Sequence, residues 1–322
     1  MDVDQTNEHE NLCFSLRFNM LNDFSQLIEI FSNIDPNSSN NGVKFDVVNN
    51  ADFQGIMVSS QRSETSIIGV GSVECIVEYL DASKDSNTCF LVNIAKLKIM
   101  IRNLPTDNLF YIKKFANSNK IGLESRSPNP DDNTKQTGMM SEMENINGED
   151  NDHTNFFGKM RFPFHILVDG QAMREYLRKL KDLNNNIVIF TIEGVASSTD
   201  CSIFRMLGED NEKDCALGFE RSLYKGDDEG DIVYCTREGS VPKGSHVLQS
   251  VQYNTHQILD IIKNMKPSKL RVAFGKYQYY NDELEAMCDS EEGQDPLFIE
   301  LKLGGTSSWV RFLVASRVDG EY

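Results

Sequence analysis

Basic side chains recur along one strip of a helix that the sequence predicts in the second half of the chain. Arg174, Arg178 and Lys181 are spaced by four and then three residues, which places them on one side of an α-helix at about 100° per residue. Guanidinium and ammonium groups in such a row can contact nucleic-acid phosphates without reading base sequence. Phosphate contact of this kind weakens as salt rises.

The same strip is basic in two of the three other predicted helices. It lies one, five and eight residues beyond the first apolar residue of each helix. The residues there are Lys98, Arg102 and Pro105 in the second helix, Leu259, Lys263 and Lys266 in the fourth, and Ser25, Glu29 and Ser32 in the first. A Lys/Arg-rich face is also common on solvated helices. The repeated position favours a shared basic surface over plain solvation.

The overall charge opposes this interpretation unless the charges are segregated. The formal net charge is −17 over 322 residues, and phosphate contact requires local positive charge. A protein can satisfy both conditions if its basic residues lie on one surface and its acids elsewhere. We therefore expect the Lys and Arg residues of the helices to be concentrated on one face.

Metal and thiol chemistry find little support in the sequence. The seven cysteines contain no CxxC pair, and the five histidines form neither HxxxH nor HExxH. This usage is typical of free thiols in a reducing compartment and predicts no structural metal.

Enzyme motifs are likewise missing, so we predict a non-enzymatic protein without a cofactor. The sequence has no GxxxxGK[ST] loop, no GxSxG motif and no recognisable Cys/His pair. The glycine-rich segment Gly69–Glu74 lacks a third glycine and predicts a hairpin turn. Acidic pairs at 131–132 and 227–229 could bind a divalent cation. They lie in polar stretches without a neighbouring base, which favours solvated turns.

Four amphipathic helices must position the basic residues. Their apolar residues follow one i, i+3, i+4, i+7 template. The four sets are Phe24, Leu27, Ile28 and Phe31; Leu97, Met100, Ile101 and Leu104; Met173, Tyr176, Leu177 and Leu180; and Ile258, Ile261, Ile262 and Met265.

Strands fill most of the remaining chain, which predicts an antiparallel, sheet-dominated α+β fold. The predicted strand segments are 43–49, 55–60, 72–80, 108–115, 120–127, 162–168, 186–194, 231–238, 245–253, 269–280, 296–304 and 308–318. Two helices fall in each half at comparable places among the strands, which indicates an internal duplication.

The predicted organisation is two similar domains joined by a polar connector. We assign residues 1–10 to a disordered leader, 11–125 to the first domain, 126–160 to an acidic connector and 161–322 to the second domain. No run approaches 18 apolar residues, so no transmembrane helix is predicted. The acidic, polar N-terminus does not resemble a targeting segment.

Four segments, in order, resemble the proliferating cell nuclear antigen (PCNA) family of DNA sliding clamps. They are 42–58, 92–104, 168–183 and 295–318, with the sequences GVKFDVVNNADFQGIMV, VNIAKLKIMIRNL, VDGQAMREYLRKLKDL and DPLFIELKLGGTSSWVRFLVASRV. The similarity extends from about Leu12 to Val318 and suggests a divergent, viral or protist, member.

The resemblance implies two clamp domains per chain, each a repeat of helix plus antiparallel strands. Three copies would close into a ring with helices lining the hole around double-stranded DNA. Such a homotrimer, placed on DNA by a clamp loader, would tether DNA polymerase and other replication and repair proteins in the nucleus or at a viral replication site. The implied hole-lining residues are Lys96, Lys98, Arg102, Arg174, Arg178, Lys181, Lys263 and Lys266.

The resemblance also implies a pocket for short peptide motifs of partner proteins. The matching positions are Val48, Phe53, Pro296, Leu313, Val314, Ala315 and Ser316. The connector would add apolar contacts from Met139, Met140, Phe156 and Phe157. Plain core packing is the competing explanation for Val48, Leu313, Met139 and Met140.

Three features depart from the family pattern. Asp23 and Glu29 stand in the first helix where lysines are usual, so DNA contact there is not expected. Ser316 replaces a common proline. The connector and residues 200–245 are longer than usual. A subunit of a heterotrimeric DNA-damage checkpoint clamp, and a clamp-fold viral transcription or scaffold factor without a closed ring, remain alternatives.

Overall fold

The structure is a computed structural model, and it describes most of the chain. The described residues are 12–19, 21–34, 43–62, 67–81, 88–116, 118–129, 135–141, 144–145, 157, 159–162, 165–195, 201–208, 218–225, 232–237, 245–263, 265, 269–291, 295–304 and 307–317. The helices there are α1 (Leu21–Ile34), α2 (Ile94–Arg102), α3 (Gly170–Asp182) and α4 (Thr255–Ile262).

Strands form the rest of the regular structure. In the first half they are β1 (Leu12–Phe18), β2 (Val43–Asn49), β3 (Gln54–Arg62), β4 (Ile67–Glu74), β5 (Ile76–Leu80), β6 (Cys89–Val92), β7 (Leu109–Phe115), β8 (Lys120–Arg126), β9 (Lys135–Ser141) and β10 (Glu144–Asn145). In the second half they are β11 (Met160–Arg161), β12 (His165–Asp169), β13 (Ile187–Val195), β14 (Cys201–Gly208), β15 (Gly218–Lys225), β16 (Ile232–Arg237), β17 (Ser245–Asn254), β18 (Lys269–Phe274), β19 (Gln278–Asn281), β20 (Ala286–Asp289), β21 (Leu297–Lys302) and β22 (Trp309–Val314).

The chain divides into two compact units. The first comprises Met1–Gln61, Gly69–Thr154 and Lys302–Val310, and the second comprises Arg62–Ile68, Asn155–Leu301 and Arg311–Tyr322. The predicted boundaries at residues 125 and 161 stay a prediction.

The order of elements repeats between the two halves of the chain. A strand, a helix, five strands and a second helix follow one another from β1 to α2 and again from β12 to α4. The pairings also correspond: β2 pairs with β3 and β6, and β13 pairs with β14 and β17. One pairing differs in direction, because β1 and β5 are antiparallel whereas β12 and β16 are parallel. The antiparallel expectation therefore fails at that pair.

Aromatic side chains fill the core of the first unit. Phe24 of α1 lies between Phe18 and Phe110, with ring centroids 4.8 and 5.6 Å away. All three are buried, and each buried phenylalanine stabilises the fold by roughly 1.5–3 kcal/mol. Helix α1 approaches the sheet closely, because a Cβ at Gly71 would lie 2.3 Å from Leu27 Cδ1.

The second unit is built in the same way. Phe190 packs against Tyr253 at 5.3 Å and against Phe204 and Phe274 at 5.6 Å each. Helix α3 approaches β14 closely, because a Cβ at Gly208 would lie 2.3 Å from Leu180 Cδ2. In both units, an amphipathic helix thus packs closely against a sheet at a position where glycine leaves room for it.

The predicted apolar template is confirmed in α1, α3 and α4 and partly in α2. All four template residues are buried in α1 and α3, and so are those of the fourth set. Met265 lies beyond the end of α4 at Ile262. Of the α2 template residues only Leu97 and Ile101 are buried, and Leu104 follows the helix end at Arg102.

Several strands were not predicted, among them β9, β14 and β15. Strand β9 lies within the predicted connector, where it pairs with β8 from Lys135 to Ser141, so that part is sheet rather than a solvated link. Strands β14 and β15 lie within residues 200–245, the region that the sequence analysis described as longer than usual for the PCNA family. Polar side chains such as Gln136, Thr137, Glu220 and Arg221 interrupt the apolar alternation and hide these strands.

Candidate nucleic-acid interface

Three helices that carry the predicted basic residues begin at side-chain caps. The Asn93 Oδ1 accepts from the Lys96 amide at 3.0 Å, and Asp169 Oδ1 accepts from the Ala172 amide at 2.8 Å. Asn254 Oδ1 accepts from the amides of His256 and Gln257. Each cap satisfies amide groups that the first helical turn leaves without partners.

Some basic residues lie in the last turns of α2 and α3, where a positive charge interacts favourably with the negative end of the helix dipole. Arg102 lies in the last turn of α2, and Lys179 and Lys181 lie in the last turn of α3. Lys179 is an exposed cation that the strip template did not include, because it lies about 100° away from Arg178.

In the first unit, α1 neutralises the predicted strip of α2. Arg102 Nη2 and Lys98 Nζ lie 3.2 and 3.8 Å from one oxygen, Oε1 of Glu29. Lys98 Nζ also donates to Ser32 Oγ at 2.7 Å, and its side chain is only 20% exposed. The two cations that the sequence analysis assigned to DNA are therefore engaged by Glu29 and Ser32 of α1.

The remaining predicted residue of α2 lies apart from that strip. Lys96 is exposed, but it precedes Lys98 by two residues and so lies about 160° around the helix from it. Asp23, the other acid of α1, accepts a hydrogen bond from the Gly304 amide at 3.1 Å. This contact gives Asp23 a structural role within the first unit.

In the second unit, two of the predicted residues contact each other. Arg174 Nη1 of α3 donates to the carbonyl oxygen of Lys263 at 3.1 Å, at the C-terminal end of α4. Lys263 Nζ in turn lies 2.8 Å from Asp260 Oδ1. Arg174 thereby satisfies a carbonyl that the helix end leaves open, and both residues are half-buried.

Arg178 and Lys181 differ from the other predicted cations. Both are exposed, and neither has an acidic group within 4.0 Å in the part of the chain that the structure describes. Lys266, the last predicted contact, lies outside the described residues. Among the described residues of the predicted strips, the positive charge without an acidic partner is thus concentrated at the C-terminal half of α3.

The predicted partner-binding residues fall into three groups. Leu313 and Val314 of β22 are 4% and 0% exposed, and Phe157 is buried with its ring 6.4 Å from Phe298. Accessible positions are the half-buried Val48, Phe53, Pro296 and Ser316 and the exposed Ala315. Met139 and Met140 lie on β9 opposite Gly122 and Ile121, and Phe156 and the methionine side chains lie outside the described residues.

Two buried thiols, Cys75 and Cys89, lie apart from the basic helices. Burial raises the pKa of Cys75 to about 12 and that of Cys89 to about 11, with smaller contributions from Glu74 and Asp46. Such thiols stay protonated at neutral pH and are poor nucleophiles. No cluster of three or more His, Cys, Asp or Glu side chains able to hold a metal occurs in the described ranges. None of the described helices is long and apolar enough to cross a membrane.

Comparison with known proteins yields structural matches only. No protein-family model matches the chain, and no curated protein matches its sequence. A chain of the PCNA2–PCNA3 complex from Sulfolobus tokodaii matches with a TM-score of 0.59 at 12% identity, covering 94% of this chain and 99% of that one. PCNA from Entamoeba histolytica matches with a TM-score of 0.60 at 11% identity, covering 95% and 100%.

Both matches extend over almost the whole of each chain, so the likeness is not limited to one unit. At this level of sequence identity the comparison establishes the fold. The chain therefore has a clamp fold like that of PCNA.

Proposed function

We propose that this protein is a DNA sliding clamp, a processivity factor that encircles duplex DNA and tethers replication and repair enzymes to it. The observation that carries the proposal is the match to two PCNA structures over 94% and 95% of the chain. In this proposal several copies close into a ring whose inner surface is formed by the helices. The ring holds DNA by topology, so the individual phosphate contacts can be weak.

The charge distribution supports such a mechanism. With a formal net charge of −17, non-specific adhesion to DNA is opposed everywhere except at local basic patches. Arg178 and Lys181 form such a patch on α3, and long flexible side chains can exchange one phosphate for the next. We propose that α3 is the principal DNA contact and that α2 contributes less, because Glu29 already engages Lys98 and Arg102.

Assembly with different chains is a second candidate. The matched Sulfolobus structure is a complex of two different PCNA chains. Light scattering separates the two arrangements, because one chain has a mass of 36.5 kDa. A particle of three times that mass supports a homotrimer, whereas a monomer supports a subunit that closes a ring only with other chains.

For tethering, we propose that the accessible members of the predicted partner-binding set contact short peptide motifs. These are Val48 and Phe53 in the first unit and Pro296, Ala315 and Ser316 in the second. Apolar anchors of such motifs require side chains that remain accessible in the free protein. Leu313 and Val314 are buried in the second unit, so we do not expect them to contact a peptide directly.

Retention on end-blocked DNA tests the proposal directly. The protein is allowed to thread onto linear duplex DNA fixed to a bead at one end, and the free end is then closed with streptavidin. A sliding clamp stays on this DNA through a high-salt wash and leaves when a restriction enzyme opens the duplex. Loss in the first wash would exclude topological binding by this chain alone. In that event light scattering of mixtures with partner chains tests the hetero-assembly.

A further inference from the structure

The hairpin β19–β20 is additional to the repeated architecture. Strands β7 and β8 are joined by residues 116–119. Their counterparts β18 and β21 are joined by residues 275–296, which include the hairpin. Because the first repeat forms its sheet without such an element, the hairpin is not needed to complete the repeated fold.

Several contacts nevertheless hold the hairpin in a defined conformation. Asn281 Oδ1 accepts from the amides of Glu283 and Leu284 at 2.9 and 3.2 Å, which fixes the turn. The Ser290 amide donates to the Tyr277 carbonyl at 2.8 Å at the base. An ion pair between Lys159 and Asp282 and the pairing of β11 with β19 attach the hairpin to neighbouring chain.

The two faces of the hairpin differ in character. On one face, Tyr277 is 8% exposed and packs against Phe162 at 5.7 Å. On the other face, Tyr280 lies directly across from Met287, and the two are 40% and 45% exposed. Leu284 at the turn is 67% exposed. One ordered hairpin thus exposes three large side chains, and such exposed apolar surface often marks an interaction site. We call these three residues the patch.

The backbone and the charges around the patch indicate what could cover it. In the described chain β20 pairs only with β19, so one edge of β20 offers unpaired amide and carbonyl groups. Residues 276–291 contain one lysine, Lys276, and five acids, namely Asp282, Glu283, Glu285, Asp289 and Glu291. A segment that bound to this edge would therefore contact apolar side chains that are surrounded by negative charge.

We propose that β20 binds an extended segment of a partner protein in which apolar residues alternate with Lys or Arg. The segment adds as a strand to the free edge of β20, so that main-chain hydrogen bonds supply affinity. Its apolar side chains lie on the face of the sheet that carries Met287, and its cations, which alternate to the other face, lie within the negative field of the acidic residues at the turn. This surface is independent of the helices proposed to contact DNA.

The test uses the full-length chain and a labelled synthetic peptide of alternating valine and lysine, with binding followed by fluorescence anisotropy. One comparison peptide carries glutamate in place of lysine, and another carries N-methyl groups along one backbone edge. We expect both to bind about tenfold more weakly or worse, because the first loses charge complementarity and the second loses the added strand.

Neutral substitutions separate the patch from general attraction between a basic peptide and an acidic protein. Replacing both Leu284→Ser and Met287→Ser leaves the net charge unchanged and is expected to weaken binding about tenfold. Ile99→Ser, at a 64% exposed apolar residue of α2, is the matched control and should leave binding unchanged. Unchanged urea unfolding midpoints establish that the variants remain folded.

Three outcomes overturn the proposal: no binding of the valine–lysine peptide, equal binding of the glutamate peptide, or equal binding by the double variant. A concentration-dependent increase in mass that the double variant abolishes would instead assign the patch to a second copy of this chain. The retention assay on end-blocked DNA is expected to give the same result for the double variant and the unaltered protein.

Discussion

The Oε1 atom of Glu29 in α1 lies 3.2 Å from Nη2 of Arg102 in α2. The same oxygen lies 3.8 Å from Nζ of Lys98. One carboxylate thus engages two cations on the neighbouring helix. Arg102 is 63% exposed and Glu29 is 42% exposed, so the pairs contribute at most about 1 kcal/mol each to stability. The larger effect of these ion pairs is to reduce the positive electrostatic potential that α2 presents to DNA phosphates.

Removing this carboxylate is expected to strengthen DNA binding. Glu29→Gln should increase affinity for a labelled duplex about threefold at low salt, because Arg102 becomes available to phosphates. Fluorescence anisotropy over a salt series measures the change, which should shrink as salt rises. Glu283→Gln on the β19–β20 turn makes the same change in net charge. An equal increase in both variants would mean that overall charge, rather than the α1–α2 pair, controls binding.

Charge reversal on α3 is expected to have the opposite effect. Arg178→Glu together with Lys181→Glu should lower duplex affinity about tenfold or more and abolish retention on end-blocked DNA, because both cations are exposed and lack acidic partners in the described chain. Lys276→Glu with Lys302→Glu changes the net charge equally at exposed strand-flanking positions. Unaltered retention in the α3 variant, or equal loss in the control, would remove α3 from the proposed DNA contact.

Arg174 should behave differently from its neighbours on the same strip. Arg174→Ala removes the donor to the Lys263 carbonyl at the end of α4 and should lower the free energy of unfolding by about 1–2 kcal/mol. Arg178→Ala, at an exposed residue of the same helix, should lower it by no more than about 0.5 kcal/mol. Urea unfolding compares the two directly, and equal values would show that the Arg174 contact adds nothing.

Some features of the fold and of the candidate site could be predicted from the sequence, and others could not. The four apolar stripes predicted the helices and their buried faces, because burial imposes a 3.6-residue period that is visible in the chain. The clamp resemblance followed from the same patterns and is confirmed at the level of the fold. Sequence periodicity predicts which face of a helix is buried, but it does not predict which element packs beside the exposed face. Arg174 and Arg178 therefore looked equivalent in the sequence, although only Arg174 contacts the end of α4.

The missed elements have a similar explanation. Strand β9 presents polar residues at an edge of its sheet, where one partner strand, β8, is enough to hold it. Such a strand needs little apolar alternation and resembles a polar connector. Of the β19–β20 hairpin, only residues 278–280 fell within a predicted strand, the one over 269–280, and β20 was not predicted. That predicted strand in fact ends at Phe274, because Gly275, with φ +85°, separates β18 from β19.

The buried thiols should show an unusual pH response. Burial raises the pKa of Cys75 from 9.0 to about 12, so the neutral thiol supports the fold fully below pH 9 and this contribution is lost as pH rises toward 12. Between pH 7 and 9, maleimide labelling of Cys75 and Cys89 in the folded protein should therefore stay slow, while the half-buried Cys288 reacts faster than either. Site-resolved mass spectrometry measures each rate. Rapid labelling of Cys75 at pH 8 would contradict its burial.

A buried carboxylate offers the sharpest test of the second unit's packing. Glu300 is 4% exposed and lies between two arginines, with Arg311 Nε 2.6 Å from Oε2 and Arg271 Nη1 3.6 Å from Oε1. Glu300→Ala should lower the free energy of unfolding by about 2–4 kcal/mol, because two partly covered guanidinium groups lose their counterion. Glu78→Ala breaks a pair with Arg17 in which both side chains are about one-third exposed, and it should cost less than about 1 kcal/mol. If urea unfolding gives equal losses, Glu300 must be more hydrated than its burial indicates. If Arg271→Met, Glu300→Leu and Arg311→Met together restore stability, the arginines serve only to neutralise that charge.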